Sequence, residues 1–172
     1  MINRIKRVDW RILYAVYDMK RPLPLDILMM IVSTSGNGGA VWFFIAAILL
    51  FSDSTREPAF AITLALALSF LIGNILLKTG ISRNRPFRQN PQKFKPAISP
   101  PGESSFPSGH AYSSFSAATV LFYFFGIYSF PFFFLAGAIS FSRVYFSVHF
   151  PSDIAASLFL GIGTGLLSCV LL

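Results

Sequence analysis

His149 and Asp153 stand four residues apart, with Pro151 between them to open a helix. They lie in a half of the chain that is otherwise almost free of charge. Between His110 and Arg143 there is no Asp, Glu, Lys or Arg, and after Asp153 there is none. Ionisable groups at the edge of apolar segments are costly to keep and need a reason. A carboxylate in the first turn of a helix is stabilised by the helix dipole. Asp153 can accept a hydrogen bond from one imidazole nitrogen of His149 and leave the other as a nucleophile, which is how a nucleophile is oriented by its neighbour. Arg143 adds a positive group six residues upstream.

Two further groups could serve the same chemistry. In Phe106-Pro107-Ser108-Gly109-His110, Pro107 suits the first position of a helix. Free backbone N–H groups at a helix start bind anions. Gly109 lets a phosphate approach the backbone, and Ser108 adds a hydroxyl donor. His110, in the first turn, can reach an ester oxygen and act as a proton donor near neutral pH when a phosphate lies beside it. In Lys78-Thr79-Gly80-Ile81-Ser82-Arg83-Asn84-Arg85-Pro86, Lys78 and Arg85 are two helical turns apart and would share a face. Pro86 pushes Arg85 towards an extended conformation. An ammonium and a guanidinium fork together make a receptor for phosphate oxygens. Taken singly, each group has a plainer reading: positive flanks of a membrane span, a serine cap before a buried histidine, and a neutral histidine beside a capping aspartate.

The elements that must position these residues are apolar. The 172 residues are 54% hydrophobic and only 12% charged, with 20 Phe, and the mean hydropathy is +0.63. Soluble domains carry about 25% charged residues, so an integral membrane protein of one domain (residues 1–172) is expected. The net charge of +7 points to anionic partners, meaning lipid headgroups or phosphates. Nucleic acid is not expected, because the basic residues flank membrane segments. The single Cys169 excludes an intrachain disulfide. No apolar signal-peptide core follows the first basic residues.

Residues 1–21 alternate basic groups with Trp10, Leu13, Tyr14 and Tyr17 at helical spacing, the pattern of an amphipathic helix lying in the membrane interface. An apolar stretch over 25–51 is broken by Ser33-Thr34-Ser35-Gly36-Asn37-Gly38-Gly39. It reads as one kinked span, with the irregular centre buried against protein. Residues 59–77 measure about 28 Å as a helix and match a bilayer core of roughly 30 Å. Residues 78–106 are polar, with five prolines and six basic residues, and suit a loop over a site. Spans to about Tyr128, then 132–146 after a reversal at Pro131, then 151–172 complete the chain. The expected fold is therefore an all-α bundle of about five transmembrane helices, six if the first stretch is two. Up-down counting puts Lys78, His110, Arg143 and Asp153 on one membrane face.

The three groups together resemble the signature of the type 2 phosphatidic acid phosphatase superfamily: Lys-x6-Arg-Pro, Pro-Ser-Gly-His and Ser-Arg-x5-His-x3-Asp. Here these are Lys78 to Pro86, Pro107 to His110, and Ser142-Arg143 with His149 and Asp153, in order and without departure. The resemblance implies a metal-independent lipid phosphatase without cofactors. His149 would attack phosphorus and form a phosphohistidine, and His110 would protonate the leaving oxygen and later activate water. Lys78, Arg85, Ser108, the Gly109 backbone and Arg143 would hold the phosphoryl oxygens. The acid count agrees on the metal. Apart from Asp153, only Glu103 lies near these groups in sequence, whereas two-metal sites use several carboxylates.

A site at the membrane surface suits a lipid whose acyl chains stay in the bilayer. Lipid A 1-phosphate, phosphatidylglycerophosphate, phosphatidic acid and undecaprenyl pyrophosphate are the substrates the resemblance suggests. The extra basic residues Arg83, Arg88, Lys93 and Lys95 favour a bulky anionic headgroup, and point to a lipid A 1-phosphatase-like enzyme or a broad-specificity bacterial lipid phosphatase. A vanadium haloperoxidase is similar at such a site but resembles larger soluble proteins. A non-catalytic channel or transporter with an anion-binding vestibule would have no use for His110, His149 and Asp153. Every basic residue except Arg56 falls on the face of the site, so positive-inside counting alone would make that face cytoplasmic. The resemblance favours the periplasmic face of a bacterial inner membrane, and that is the expectation here.

Overall fold

Most of the described chain is helical. The computed structural model describes residues 2–95, 97, 98, 102 and 104–172, and among these there is no β-strand. The elements are α1 (Ile2–Tyr17), α2 (Leu23–Ser35), α3 (Ala40–Leu49), α4 (Arg56–Ser69), a π-helical stretch (Phe70–Leu77), α5 (Lys78–Gly80), α6 (Pro86–Gln89), α7 (Gly109–Phe125), α8 (Phe130–Tyr145) and α9 (Pro151–Val170). Three helical stretches are long and apolar enough to cross a membrane: Asp53–Gly80, Gly109–Tyr145 and Pro151–Val170. A fourth crossing comes from α2 and α3 if that pair, bent by 53°, is one span.

The 37-residue stretch Gly109–Tyr145 is a hairpin, as the reversal at Pro131 requires. Gly126 ends α7 at φ 56° and ψ −134°, a conformation open essentially to glycine. Ser129 Oγ then donates to the Leu121 carbonyl over 2.7 Å. Phe122 meets both Phe130 and Phe133 edge-on. The bent pair runs antiparallel to α8 along its whole length. Asp26 meets Tyr145, Ser33 meets Arg143, Gly36 lies against Ile139 and Trp42 meets Phe132. Residues 23–49 are thus two helices packed along α8 and bent by 53° at the Gly36–Gly39 break, where the sequence places a kink.

Small residues let the backbones approach, as membrane helices require when no water drives them together. Gly161 and Gly165 bring α9 onto α7. A methyl at Gly165 would sit 2.6 Å from the Ser116 carbonyl, and one at Gly161 2.8 Å from Phe115 Cβ. Hydroxyl pairs stitch the same interior: Tyr112 to Thr164 at 2.7 Å, Ser69 to Ser116 at 2.7 Å, and the Trp42 indole to Ser114 at 2.9 Å. Gly165→Ala is expected to cost about 1–3 kcal/mol through overpacking. Gly163→Ala, where nothing lies within 4 Å, should be neutral or gain up to about 1 kcal/mol from helix propensity. Thermal unfolding of both variants in detergent would show opposite directions, and equal shifts would contradict the packing account.

α1 is a helix, but only one of its sides faces solvent or lipid. Asp9 and Leu13 are buried, while Ile5, Val8 and Ile12 are exposed. Trp10 stacks on Phe94 and meets Phe150 edge-on. Arg21 lies over the rings of Tyr17 and Tyr145 at 4.7 and 4.3 Å and donates to the Tyr145 carbonyl. The aromatic positions expected at headgroup depth are thus used to dock α1 on the bundle.

Candidate active site

His149 lies in the short link between α8 and α9. The link is tight: the Val148 and His149 N–H groups both point back to the Arg143 carbonyl, at 3.1 and 3.3 Å. Ser147 adopts φ 56°, a left-handed conformation that costs a non-glycine residue of order 1–3 kcal/mol. This turn sets His149 beside Arg143 and buries both, at 1% and 2% exposure.

The tautomer of His149 follows from its partners. Nδ1 lies 2.7 Å from the Ser105 carbonyl oxygen, which can only accept, so Nδ1 carries the proton. Nε2 then presents a lone pair, and Arg85 Nη1 donates to it over 3.1 Å. Burial, followed by the charges of Arg85 and Arg143, holds the imidazole well below its usual pKa. The ring is therefore neutral at physiological pH, with its lone pair on Nε2.

Asp153 does not accept from His149 as the spacing suggests. Its Oδ2 lies 3.8 Å from Nδ1 and accepts instead from the Phe150 N–H at 2.9 Å. Its Oδ1 is 2.5 Å from Arg83 Nη1. The capping geometry at the start of α9 turns the carboxylate towards the backbone, so the hydrogen bond that orients His149 comes from Ser105. Asp153 stands 3.8 Å behind the ring, paired with Arg83.

Arg85 is fully buried. Besides His149, it donates to the carbonyls of Val148 at 2.8 Å, Ser104 at 2.9 Å and Gly102 at 3.3 Å. Burial, partly opposed by Asp153, brings its pKa down to about 10, so it remains a cation. It does not share a helical face with Lys78. The helix ends at Gly80, Ile81 is extended, and Arg85 is extended before Pro86, as the proline requires. The two come near each other because residues 81–85 and 104–105 are held together by hydrogen bonds. The Ser105 N–H donates to the Arg83 carbonyl at 2.8 Å, Asn84 bridges Ser104, and Ser104 Oγ donates to the Ile81 carbonyl at 2.8 Å.

Lys78 reaches the site from the end of the π-helical stretch. Its Nζ donates to Asn74 Oδ1 at 2.5 Å. A wide turn of this kind is frequent at functional positions. α7 starts at Gly109, two residues later than the Pro107 expectation, with Ser108 as its cap accepting from the Ala111 N–H. The Ser108 N–H is held by Ser157 Oγ at 2.9 Å. His110 Nε2 lies 2.9 Å from Asn37 Oδ1 in the break of the first span. Arg143 Nη1 donates to Ser33 Oγ at 2.5 Å, while its buried Nε has no partner among the described residues.

A cavity of about 470 Å³ joins these groups. Lys78, Gly109, His110 and His149 line one end, and Phe43, Leu66 and Phe70 line the other. Arg85, Ser108, Arg143 and Asp153 are buried and do not themselves line it. The other basic residues lie outside it. Arg83 is committed to the carboxylates of Asp9 and Asp153, which gives it a different task from the headgroup contact expected of it. Lys93 pairs with Asp18 and lies over Tyr14 and Tyr17, Arg88 lies over Phe87, and Lys95 is exposed. Glu103 lies outside the described residues. Among the described residues no three His, Cys, Asp or Glu side chains gather in a way that could hold a metal ion.

Sequence reasoning missed Ser33, Asn37 and Asn74. The signal was available, since Asn74 is the one amide in 59–77 and the first two sit in the polar break. The Ser105 carbonyl left no signal, because any residue carries one.

Comparison with known proteins shows the family. The profile of the PAP2 superfamily matches residues 58–172. The undecaprenyl-diphosphatase of Sulfolobus acidocaldarius is 30% identical over 158 residues, covering 87% of this chain and 71% of that one. The crystal structure of Aquifex aeolicus LpxE superposes with a TM-score of 0.70 at 27% identity, over 94% of each chain. A PAP2-type phosphatidylglycerolphosphate phosphatase from Bacillus subtilis superposes with a TM-score of 0.75 at 23% identity, over 98% of this chain and 86% of that one, a likeness of fold.

Proposed function

Because the chain belongs to the PAP2 superfamily and is a membrane lipid phosphatase of that kind, we propose that it works without a metal, through a phosphohistidine on His149. The observation that carries this reading is the state of the ring. Its proton is tied to the Ser105 carbonyl, and its lone pair faces Arg85. The lone pair on Nε2 attacks phosphorus, an N–P bond forms, and the bond from phosphorus to the leaving oxygen breaks. His110 supplies the proton to that oxygen. Water then attacks phosphorus and gives a proton to His110, and the N–P electron pair returns to Nε2. Lys78, Arg85, Arg143, Ser108 Oγ and the Gly109 N–H hold the three phosphoryl oxygens, where preorganised donors stabilise developing charge. A bound phosphoryl group would satisfy the orphaned Nε of Arg143.

The substrate is a lipid phosphate with a bulky anionic headgroup, lipid A phosphorylated at its 1-position being the first choice, with phosphatidylglycerophosphate as another monoester. The apolar end of the cavity, at Phe43, Leu66 and Phe70, gives the first part of an acyl chain a place beside the polar end. A second reading, hydrolysis of an undecaprenyl pyrophosphate, is favoured by the Sulfolobus relative. In either case the site lies on the periplasmic face of an inner membrane. Purified protein in detergent, with EDTA present, is expected to release phosphate from one member of a panel of lipid monophosphates and pyrophosphates in clear preference to the rest. Activity abolished by EDTA and restored by a divalent metal would overturn the metal-free mechanism.

A further inference from the structure

Asp9 lies near the other end of the chain from His149, yet it is 2% exposed and fully engaged. Its Oδ1 accepts from the Ser152 N–H at 2.8 Å, and its Oδ2 from Ser152 Oγ at 2.6 Å. Oδ2 also accepts from Arg83 Nη2 at 2.7 Å. The same guanidinium reaches Asp153 Oδ1 through Nη1 at 2.5 Å and Ser152 Oγ at 2.8 Å, and it stacks on the Phe150 ring at 4.2 Å. Asp9 thus caps the first turn of α9 from another helix, occupying an N–H that the helix itself leaves open. Arg83 is shared between two carboxylates. Lys6 lies on the outer side of the pair, lining a polar cavity of about 330 Å³ with Ser82, Asn84 and Gln89.

We infer that Asp9 is a positioning residue for the reaction and that α1 is part of the catalytic apparatus. This rests on His149 as the nucleophile. When Nε2 attacks phosphorus, the imidazole ring becomes positive. The carboxylate nearest to it is Asp153, 3.8 Å from Nδ1. Alone with Arg83, that carboxylate would be largely neutralised. Asp9 accepts one of the guanidinium's three hydrogen bonds and pairs with its charge, so the trio of Asp9, Arg83 and Asp153 keeps a net charge of −1 behind the ring. That charge is worth most in the transition state, and the two carboxylates that carry it are buried, at 2% and 0% exposure. Its loss should therefore lower kcat and leave KM almost unchanged.

The test is Asp9→Asn, which keeps the shape of the cap. With the best lipid phosphate from the panel, kcat should fall by about 10- to 100-fold, the usual range for residues that support a site from behind, while KM stays within about twofold. Vanadate, which resembles the transition state, should bind correspondingly more weakly, whereas inorganic phosphate should not. Adding Arg83→Gln to Asp9→Asn removes the counter-charge and should recover part of kcat. A purely structural Asp9 would make the double variant no better than the single one. Thermal unfolding in detergent separates misfolded variants from slow ones, and if Arg83→Gln does not fold, the vanadate and phosphate affinities of Asp9→Asn decide. Normal kcat in Asp9→Asn, with His149→Ala inactive, overturns this inference alone. An active His149→Ala overturns the mechanism on which it rests.

Discussion

His149→Ala is expected to lower lipid phosphate hydrolysis by at least about 10⁴-fold, because removing an activated nucleophile costs most of the rate. The geometry makes this change unusually clean. The imidazole has two polar partners, Ser105 and Arg85, and Arg85 keeps the carbonyls of Val148, Ser104 and Gly102 when the ring is gone. The phosphate site therefore survives without its nucleophile. Substrate should still bind, and the lost rate should appear in kcat. Phosphate release measures the rate, and labelling with a radioactive phosphoryl donor followed by an alkaline quench measures the covalent step, since phosphohistidine is labile to acid and stable to base. Wild-type protein should carry label that His149→Ala lacks. Ordinary turnover in the variant would show that the phosphoryl group travels by another route.

His110→Ala is the second large effect, about 10²- to 10⁴-fold, the range for a general acid. Here the leaving group decides between roles. A lipid alkoxide is a poor leaving group and needs a proton, whereas p-nitrophenolate does not. The penalty should therefore be large with a lipid phosphate and much smaller for phosphoenzyme formation from p-nitrophenyl phosphate. Without a base to activate water, that phosphoenzyme should then persist, giving a burst of nitrophenolate followed by a slow steady rate. Equal penalties on both substrates would mean that His110 only binds phosphate. Its contact with Asn37 places the orientation of this acid on the broken first span, so the same break that kinks the span also serves the site.

Much of the candidate site is legible in the amino-acid sequence. The spacing of Lys78, Arg85, Ser108, His110, Arg143, His149 and Asp153 stands out because charges are rare in this chain, and the apolar lengths around them allow few topologies. The hairpin at Gly126–Ser129 and the bend at Gly36–Gly39 follow from proline, glycine and the polar break. The start of α7 at Gly109 is less legible, since Ser108 competes with Pro107 for the boundary and its hydroxyl decides the outcome. The task of α1 is only half legible. Its amphipathic pattern is clear, but an aromatic side chain at helical spacing can meet lipid or another helix, and pattern alone does not choose.

By itself, the sequence determined the membrane class and singled out the candidate phosphate-binding and proton-moving groups. These depend on residue type, local spacing and segment length. Only the tertiary structure decided how the nucleophile is held and which charges stand behind it. The Ser105 carbonyl is a backbone group with no signature in side-chain chemistry. The Asp9 and Arg83 contacts join positions 74 residues apart, and Asp9 and Ser152 are 143 apart. A carboxylate in a basic helix reads as a surface charge until packing removes it from solvent. Burial then fixes its hydrogen bonds, because a charge away from water is tolerable only when paired.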